Sequence, residues 1–242
     1  MLKTPAIVIV AVIVGVLMLH AVSAALIGYK QPGTPPVTVT VYDGTTSPYF
    51  HDGIRAAAAL WSQAEGVRMT VVNGPCIARG SNAITMCEFA QSWDGTLNPS
   101  APCAPVYACT HIIANNGMIT FSTTYLNTWA VDPAMQPSCS PTYGCISAGE
   151  AQGMLCHEIG LSLGLAEVNE YLHPEYVGCM GGLNFLPGHQ QPSVSDYADL
   201  ASLYPCPGCV ATATPTVAPT ATRTLVPTST PCPPKGKSGR CK

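Results

Sequence analysis

The chain has 242 residues, enough for one domain of ordinary size with terminal appendages but too few for two large domains. Charged residues make up only 10% of the chain and the formal net charge is −3, which excludes highly charged disorder and the basic surface of a nucleic-acid-binding protein. The 12 cysteines, an even and high number, indicate disulfides and therefore an oxidising compartment outside the cytosol.

Residues 1–25 have the features of an export signal. Lys3 precedes an apolar run at residues 6–19, and small residues around Ala24 provide a cleavage site. The apolar character continues to Ile27, so a retained signal anchor is the alternative to cleavage. The protein is expected to be secreted or anchored at the cell surface.

Residues 26–36 are expected to form a short linker, and residues 37–205 the folded domain. Residues 37–42 alternate apolar and polar side chains, which predicts a strand. Residues 53–64 carry apolar groups at helical spacing, with Asp52 able to cap the start and Gly66 able to end the helix. Four further strands are predicted from runs rich in β-branched residues, with a tight turn at 115–117 between the last two: 67–72, 84–89, 110–114 and 118–122.

Two more helices are predicted in the second half of the domain. Ser147 and Glu150 have the spacing of a capping box, in which each side chain accepts a hydrogen bond from the other residue's backbone N–H. This helix should continue to Leu163 and end at Gly164, which tolerates a positive φ. A last helix is predicted over residues 196–204.

The C-terminal part of the chain changes in composition. Residues 206–231 form a Cys/Thr/Pro-rich stalk whose composition cannot bury a core. Residues 232–242 form a basic tail, closed by a Cys232–Cys241 loop. This tail either is an exposed solubilising segment or contacts an anionic cell-wall polymer.

The cysteines of the domain other than Cys156 and Cys179 lie close together in the sequence, which predicts local disulfides. Sequence alone does not fix their connectivity. Cys206 and Cys209 form a C-x-x-C pair that follows a helix, which favours a structural bridge over a redox site. The other expected pairs are Cys76 with Cys87, Cys103 with Cys109, and Cys139 with Cys145.

The segment from Cys156 to Glu167 carries the candidate chemistry. In zinc peptidase helices, two His four residues apart bind the metal, the Glu after the first is the general base, and a glycine turn brings back a third ligand. The chain resembles the matrixins, within the metzincin clan, through a match to their H-E-x-G-H-x-L-G-L-x-H motif and through Met180, which resembles their Met-turn. The matching motif residues are His157, Glu158, Gly160, Leu163, Gly164 and Leu165.

The resemblance implies an α+β fold: a mixed five-stranded twisted sheet with an active-site helix, a Met-turn and a C-terminal helix. It implies zinc as the cofactor, with His157 as a ligand and Glu158 as the catalytic base. It also implies a Cys156–Cys179 disulfide between the helix and the Met-turn. Finally, it implies an edge strand that pairs with an extended peptide substrate, formed by Thr110, His111, Ile112, Ile113 and Ala114.

The sequence departs from the motif at two ligand positions. Leu161 stands where the second zinc-binding His belongs, and its side chain has no lone pair. Glu167 stands at the third position, where a carboxylate can still bind zinc. We therefore expect a degenerate peptidase with a weak or absent metal site. The alternatives are an active zinc endopeptidase that uses His157, Glu167 and His173, and a surface module that binds peptides in the retained cleft.

Overall fold

The computed structural model of the chain describes residues 27–90, 102–103, 107–128, 146–169, 177–181 and 188–209. All of these belong to the first of two compact units, Met1–Thr212 and Ala213–Lys242. The expected export signal, the Cys139–Cys145 pair, His173, most of the stalk and the basic tail lie outside the described residues. Within the described ranges, no helix is long and apolar enough to span a membrane.

The described strands form one mixed sheet of five strands in the order β2-β1-β3-β5-β4. Strand β1 runs parallel to both β2 and β3, β3 runs parallel to β5, and β4 is antiparallel to β5. The sheet and the helices give the expected α+β class. The strands are β1 (Val37–Asp43), β2 (Val67–Asn73), β3 (Ala83–Phe89), β4 (Ala108–Asn115) and β5 (Met118–Asn127).

Strand β4 lies at one edge of this sheet and forms a hairpin with β5. Asn116 and Gly117 connect the two strands with φ values of 49° and 73°, as a turn with two left-handed residues requires. Both strands extend beyond their predicted bounds. Strand β4 begins at Ala108 and ends at Asn115, and β5 continues to Asn127 alongside β3.

Helix α1 (Pro48–Trp61) begins earlier than predicted. Pro48 occupies the first turn, where the missing N–H of proline costs no hydrogen bond. Asp52 therefore lies inside the helix and does not cap it. Gly66 does not end the helix either; it is required because a Cβ there would lie 2.0 Å from the carbonyl oxygen of Tyr204.

Helix α2 (Ala148–Ser162) has the predicted ends. Ser147 is the N-cap, and its capping box with Glu150 is formed. At the C-terminus, Gly164 has a φ of 101°, and the N–H of Leu165 donates to the carbonyl of Gly160 over 3.1 Å. This is the hydrogen-bond pattern of a Schellman motif, which turns the chain sharply out of the helix.

Helix α3 (Val194–Leu203) begins two residues before the predicted start. Ser193 is its N-cap, and Asp196 is the third helical residue, whose carboxylate accepts a hydrogen bond from the Ser193 N–H over 2.7 Å. Asp196 thus belongs to a capping box that the sequence analysis did not identify.

Helices α1 and α2 pack against each other; α1 contacts β1 and β2, and α2 contacts β4 and β5. Their shared core contains fully buried Val39, Ile54, Trp61 and Ile159. The Trp61 indole N–H donates to the backbone carbonyl of Cys156 over 2.8 Å, which ties the end of α1 to the middle of α2. The core therefore fixes the position of the helix that carries the candidate site.

Residues 27–31, which fall in the expected linker, contact the domain closely. Gln31 is fully buried, donates from its side chain to the Ser162 carbonyl over 3.0 Å and accepts from the Asn82 N–H over 2.8 Å. The Tyr204 hydroxyl accepts from the Gln31 N–H and donates to the carbonyl of Leu163, both over 2.7 Å. This network joins the N-terminal segment to the ends of α2 and α3.

Four disulfides join described cysteines, as the cysteine content of the chain indicates. They are Cys76–Cys87, Cys103–Cys109, Cys156–Cys179 and Cys206–Cys209. Disulfides persist in oxidising compartments, and the set fits an extracellular protein.

Candidate functional site

His157 lies in the middle of α2 and is held in one orientation. Its side chain is buried, and its Nδ1 lies 2.8 Å from the backbone carbonyl oxygen of Cys179. A carbonyl can only accept a hydrogen bond, so Nδ1 carries the proton. The lone pair of a neutral imidazole is then on Nε2, as in histidines that bind metal through that atom.

Glu158, the next residue, is also buried, and strand β4 supplies its hydrogen-bond donor. The Thr110 hydroxyl donates to Glu158 Oε2 over 2.5 Å, and this oxygen is therefore held against the edge strand. Burial raises the pKa of Glu158 above its ordinary value, whereas the neighbouring His157 and the Thr110 hydrogen bond lower it.

Thr110 connects Glu158 to the sheet. Its hydroxyl also lies 2.8 Å from the hydroxyl of Thr124, its cross-strand partner on β5. Thr110 and Glu158 are 48 residues apart in the sequence. No local sequence pattern indicates such a contact, and the sequence analysis placed Thr110 only on the substrate strand.

Leu161 lies one turn after His157, on the same side of α2. Its side chain is half-buried and packs against the hydrophobic core. The second ligand position is therefore occupied by a hydrocarbon side chain that contributes to packing and supplies no donor atom to a metal.

Glu167 follows the glycine turn that ends α2 and is exposed. Its charge adds to the upward shift of the Glu158 pKa, so the two carboxylates are close enough to repel each other. The next residue, Val168, donates its N–H to the Met180 carbonyl over 2.9 Å. The turn thus returns Glu167 to the same region as Glu158.

Met180, the expected Met-turn residue, packs against α2. It is fully buried, and a Cβ added to Gly160 would lie 2.3 Å from Met180 Sδ and 2.8 Å from Trp61 Cζ2. Glycine at position 160 is thus what allows the methionine and the tryptophan to approach the helix. The adjacent Cys179 is bonded to Cys156, with a Cα–Cα distance of 5.7 Å.

The predicted edge-strand residues lie together on β4, but they differ in exposure. Thr110 contacts Glu158, whereas His111 and Ile113 are exposed on the other face, and the His111 ring packs edge-on against Tyr125 at 5.3 Å. Ile112 and Ala114 are half-buried on the same face as Thr110. Of the five, Thr110 is the residue whose side chain donates a hydrogen bond to the candidate site on α2.

The described donors do not assemble a zinc site around His157. Within the part of the chain that the structure describes, the only three ligand atoms within 4.8 Å of one another come from Cys103, Cys109 and His111. Cys103 and Cys109 are joined in a disulfide and cannot bind a metal as thiolates. His157 with Leu161 and an exposed Glu167 does not fit the three-ligand set of a catalytic zinc.

A second polar cluster, which the sequence analysis missed, lies at the carboxyl end of β1. The buried carboxylate of Asp43 accepts from the Thr45 hydroxyl over 2.6 Å and lies 2.7 Å from His51 Nδ1. His51 is in the first turn of α1, so the cluster joins that helix to the sheet. All three residues are close in sequence, and the Asp at a strand end followed by a helical His is the signal that could have found it.

No family model matches the chain, and no curated protein matches it. Solved structures that resemble it include one described as "Structure of myroilysin", with a TM-score of 0.40 and 14% sequence identity, covering 75% of this chain and 98% of that chain. A similarity at this level assigns neither a family nor an activity.

Proposed function

We propose that this chain is an exported, matrixin-like protein whose peptidase site is degenerate. It would retain the helix, turn and edge strand of the site but would not cleave peptides through a metal-activated water. One observation carries the proposal. His157 donates a hydrogen bond from Nδ1 to a backbone carbonyl, and the residue one turn further along α2 is Leu161 instead of a second histidine.

The donor chemistry supports this loss of function. A catalytic zinc needs three protein ligands. Because position 161 is Leu, the face of α2 that carries His157 lacks the second imidazole that would hold the metal. Glu167 is exposed after the turn and offers one carboxylate. One buried imidazole and one exposed carboxylate are too few ligands to bind zinc tightly.

The environment of Glu158 supports the same conclusion. A general base must reach the proton that it removes, and a metal-bound water is the acid that this Glu would deprotonate in a zinc peptidase. Without a metal-bound water, Glu158 has no such proton to remove. The contact that the described structure gives its carboxylate is the Thr110 hydrogen bond, which joins α2 to β4.

A second function, capture of extended peptides without cleavage, is favoured by strand β4. It is an outer strand of the sheet, and an outer strand can pair with an added peptide through its backbone. The Thr110–Glu158 hydrogen bond holds this strand against α2, so it is fixed before a peptide arrives. Fixing the strand in advance lowers the entropy cost of binding.

A degradation assay tests the main proposal. The purified, oxidised full chain is incubated with a fluorescently labelled unfolded protein in excess zinc, beside its Glu158→Gln variant. We expect no cleavage above buffer for either protein. Cleavage by the unsubstituted chain that the variant lacks would refute the degenerate site.

Hydrogen exchange tests peptide capture separately. A mixture of unstructured peptides should slow amide exchange in β4 and leave β2, the other edge strand, unchanged as an internal control. Equal exchange in β4 with and without peptides would refute peptide capture and leave the degradation result standing.

A further inference from the structure

The side chains of Cys103, Cys109 and His111 meet beside strand β4. One sulfur or nitrogen atom from each lies within 4.8 Å of those of the other two. Cys109 and His111 are two residues apart on β4, and the hydroxyl of Thr110, between them, donates to Glu158 of α2. Because alternate residues of a strand share a face, Cys109 and His111 project from the face of the sheet opposite α2, away from the candidate site.

The imidazole of His111 leans along β4 toward Cys109. Tyr125 of β5 is the cross-strand partner of Cys109, and the His111 ring packs edge-on against the Tyr125 ring, with 5.3 Å between the ring centres. Thr123, the cross-strand partner of His111, is only 3% exposed, and its hydroxyl has no hydrogen-bond partner among the described residues. Side chains directly opposite each other in a ladder have Cβ atoms about 5 Å apart, so this hydroxyl is within reach of the imidazole. A hydrogen bond of this kind orients histidines that bind a metal through their other ring nitrogen.

The Cys103–Cys109 disulfide is of the kind that a reductant can open in the folded chain. Both cysteines are half-buried, whereas Cys156 and Cys179 are fully buried. Exposed disulfides are reduced more readily than buried ones. The bridge also closes a short loop, with a sequence separation of 6 against 23 for Cys156–Cys179, so its opening costs the fold less stability.

Once this bridge is open, the three side chains provide a donor set that suits zinc. Two thiolates and one imidazole, with water in the fourth position, form one of the ligand sets that zinc takes in proteins. Two sulfurs on one tetrahedral zinc lie roughly 3.7 Å apart, against about 2.0 Å in a disulfide. Cys103 lies in a bend outside the strands, so it can move by this difference without disturbing the β4–β5 ladder.

We propose that Cys103, Cys109 and His111 form a zinc site that exists only when the Cys103–Cys109 disulfide is reduced. Two molecules of a low-molecular-weight thiol supply the electrons. The bond between the two cysteine sulfurs breaks, a disulfide forms between the two reductant sulfurs, and the reductant's two protons pass to the cysteines. Zinc then binds both sulfurs as thiolates and releases these protons to water. This inference does not depend on whether the site at His157 cleaves or captures peptides.

Zinc uptake by the partly reduced full chain tests the proposal. The protein is treated without oxygen with a limited amount of a phosphine reductant, freed of it by gel filtration and titrated with zinc against a chromophoric chelator. Alkylation of a sample, followed by peptide mapping, identifies the opened disulfides. The first control is Cys103→Ser with Cys109→Ser, which keeps every other cysteine, and the second is His111→Ala, which keeps the disulfide. Circular dichroism shows whether each protein is folded.

We expect the reduced unsubstituted chain to bind one more zinc per chain than the double Ser variant. His111→Ala should weaken this binding by roughly a hundredfold, the share of one ligand in the affinity of a structural zinc site. Reoxidation should release the metal. A large excess of Mg²⁺ should not compete with zinc, because hard cations prefer oxygen ligands.

Three results would overturn the proposal. The first is equal zinc uptake by the unsubstituted chain and the double Ser variant. The second is an unchanged zinc affinity in His111→Ala, since the imidazole would then take no part in the site. The third is a map in which the buried Cys156–Cys179 bridge opens before Cys103–Cys109.

Discussion

The Cα of Gly160 in helix α2 faces the sulfur of Met180, so closely that a Cβ on the glycine would lie 2.3 Å from Sδ. The helix that carries His157 and the turn that carries Met180 are thus in direct contact. Their contact is one of packing, supported by the Cys156–Cys179 disulfide and by the hydrogen bond from His157 to the Cys179 carbonyl.

Gly160→Ala should destabilise the domain by about 1–3 kcal/mol, because the added methyl group overlaps Met180 and Trp61 in a filled core. Chemical denaturation measures the loss. Gly80→Ala is the matched control, since a Cβ there meets nothing within 4 Å. In a Met180→Ala background, the Gly160→Ala change should cost less, because the sulfur that it overlaps is gone; strictly additive effects would contradict the steric explanation.

Replacing both Cys156 and Cys179 by Ala should lower the free energy of unfolding by about 3 kcal/mol, the chain-entropy value for a separation of 23 residues. The same replacement at Cys206 and Cys209, separated by 3 residues, should have a smaller effect. Equal losses for the two pairs would show that the first bridge does not hold the helix to the turn.

Asp196 predicts a pH dependence of stability. Burial is the main cause that raises its pKa from 3.8 to about 6 in the folded chain, and the nearby Asp199 adds to the shift. Between these two pH values the folded state binds more protons than the unfolded state, so this contribution to stability is complete below pH 4 and disappears as the pH rises through 6. It amounts to roughly 2–3 kcal/mol.

Urea unfolding at a series of pH values checks this prediction. The difference in free energy of unfolding between the unsubstituted chain and Asp196→Asn should change by roughly 2–3 kcal/mol between pH 4 and pH 7. The unsubstituted chain should be favoured at the lower pH. Asp52→Asn, at a fully exposed carboxylate, serves as the control. A flat difference for Asp196→Asn as well would contradict the assigned pKa.

The elements that the sequence predicted well are those with local signals. Residues 37–42 alternate regularly, and Ser147 and Glu150 form their capping box, so β1 and α2 were located to within one residue at each end. The predicted start of α1 was wrong because Asp52 was taken as the N-cap, whereas Pro48, a favourable first helical residue, begins the helix.

The candidate site was only partly predictable. The motif indicated His157 and Glu158, and the spacing after Gly164 indicated where Glu167 would lie. The hydrogen bond from Thr110 to Glu158 depends on a sheet edge meeting a helix from a distant part of the chain. The requirement for glycine at position 66 likewise comes from its contact with Tyr204, far away in sequence.

Restoring the ligands should restore metal binding. In the double variant Leu161→His and Glu167→His, two imidazoles one turn apart on α2 and a third after the glycine turn would provide the usual three-ligand set. Isothermal titration should detect zinc binding that is tighter than in Leu161→His alone, in which Glu167 is the third ligand. A folded double variant without zinc affinity would show that the backbone has moved away from the matrixin geometry.

Zinc stoichiometry of the unsubstituted, oxidised chain tests the central claim most directly. The protein is equilibrated with a small excess of zinc, freed of unbound metal by gel filtration and analysed by atomic emission. Because Leu161 provides no donor beside His157, we predict much less than one zinc per chain. One tightly held zinc per chain, lost in His157→Ala but kept in the exposed-site control His111→Ala, would contradict the degenerate site.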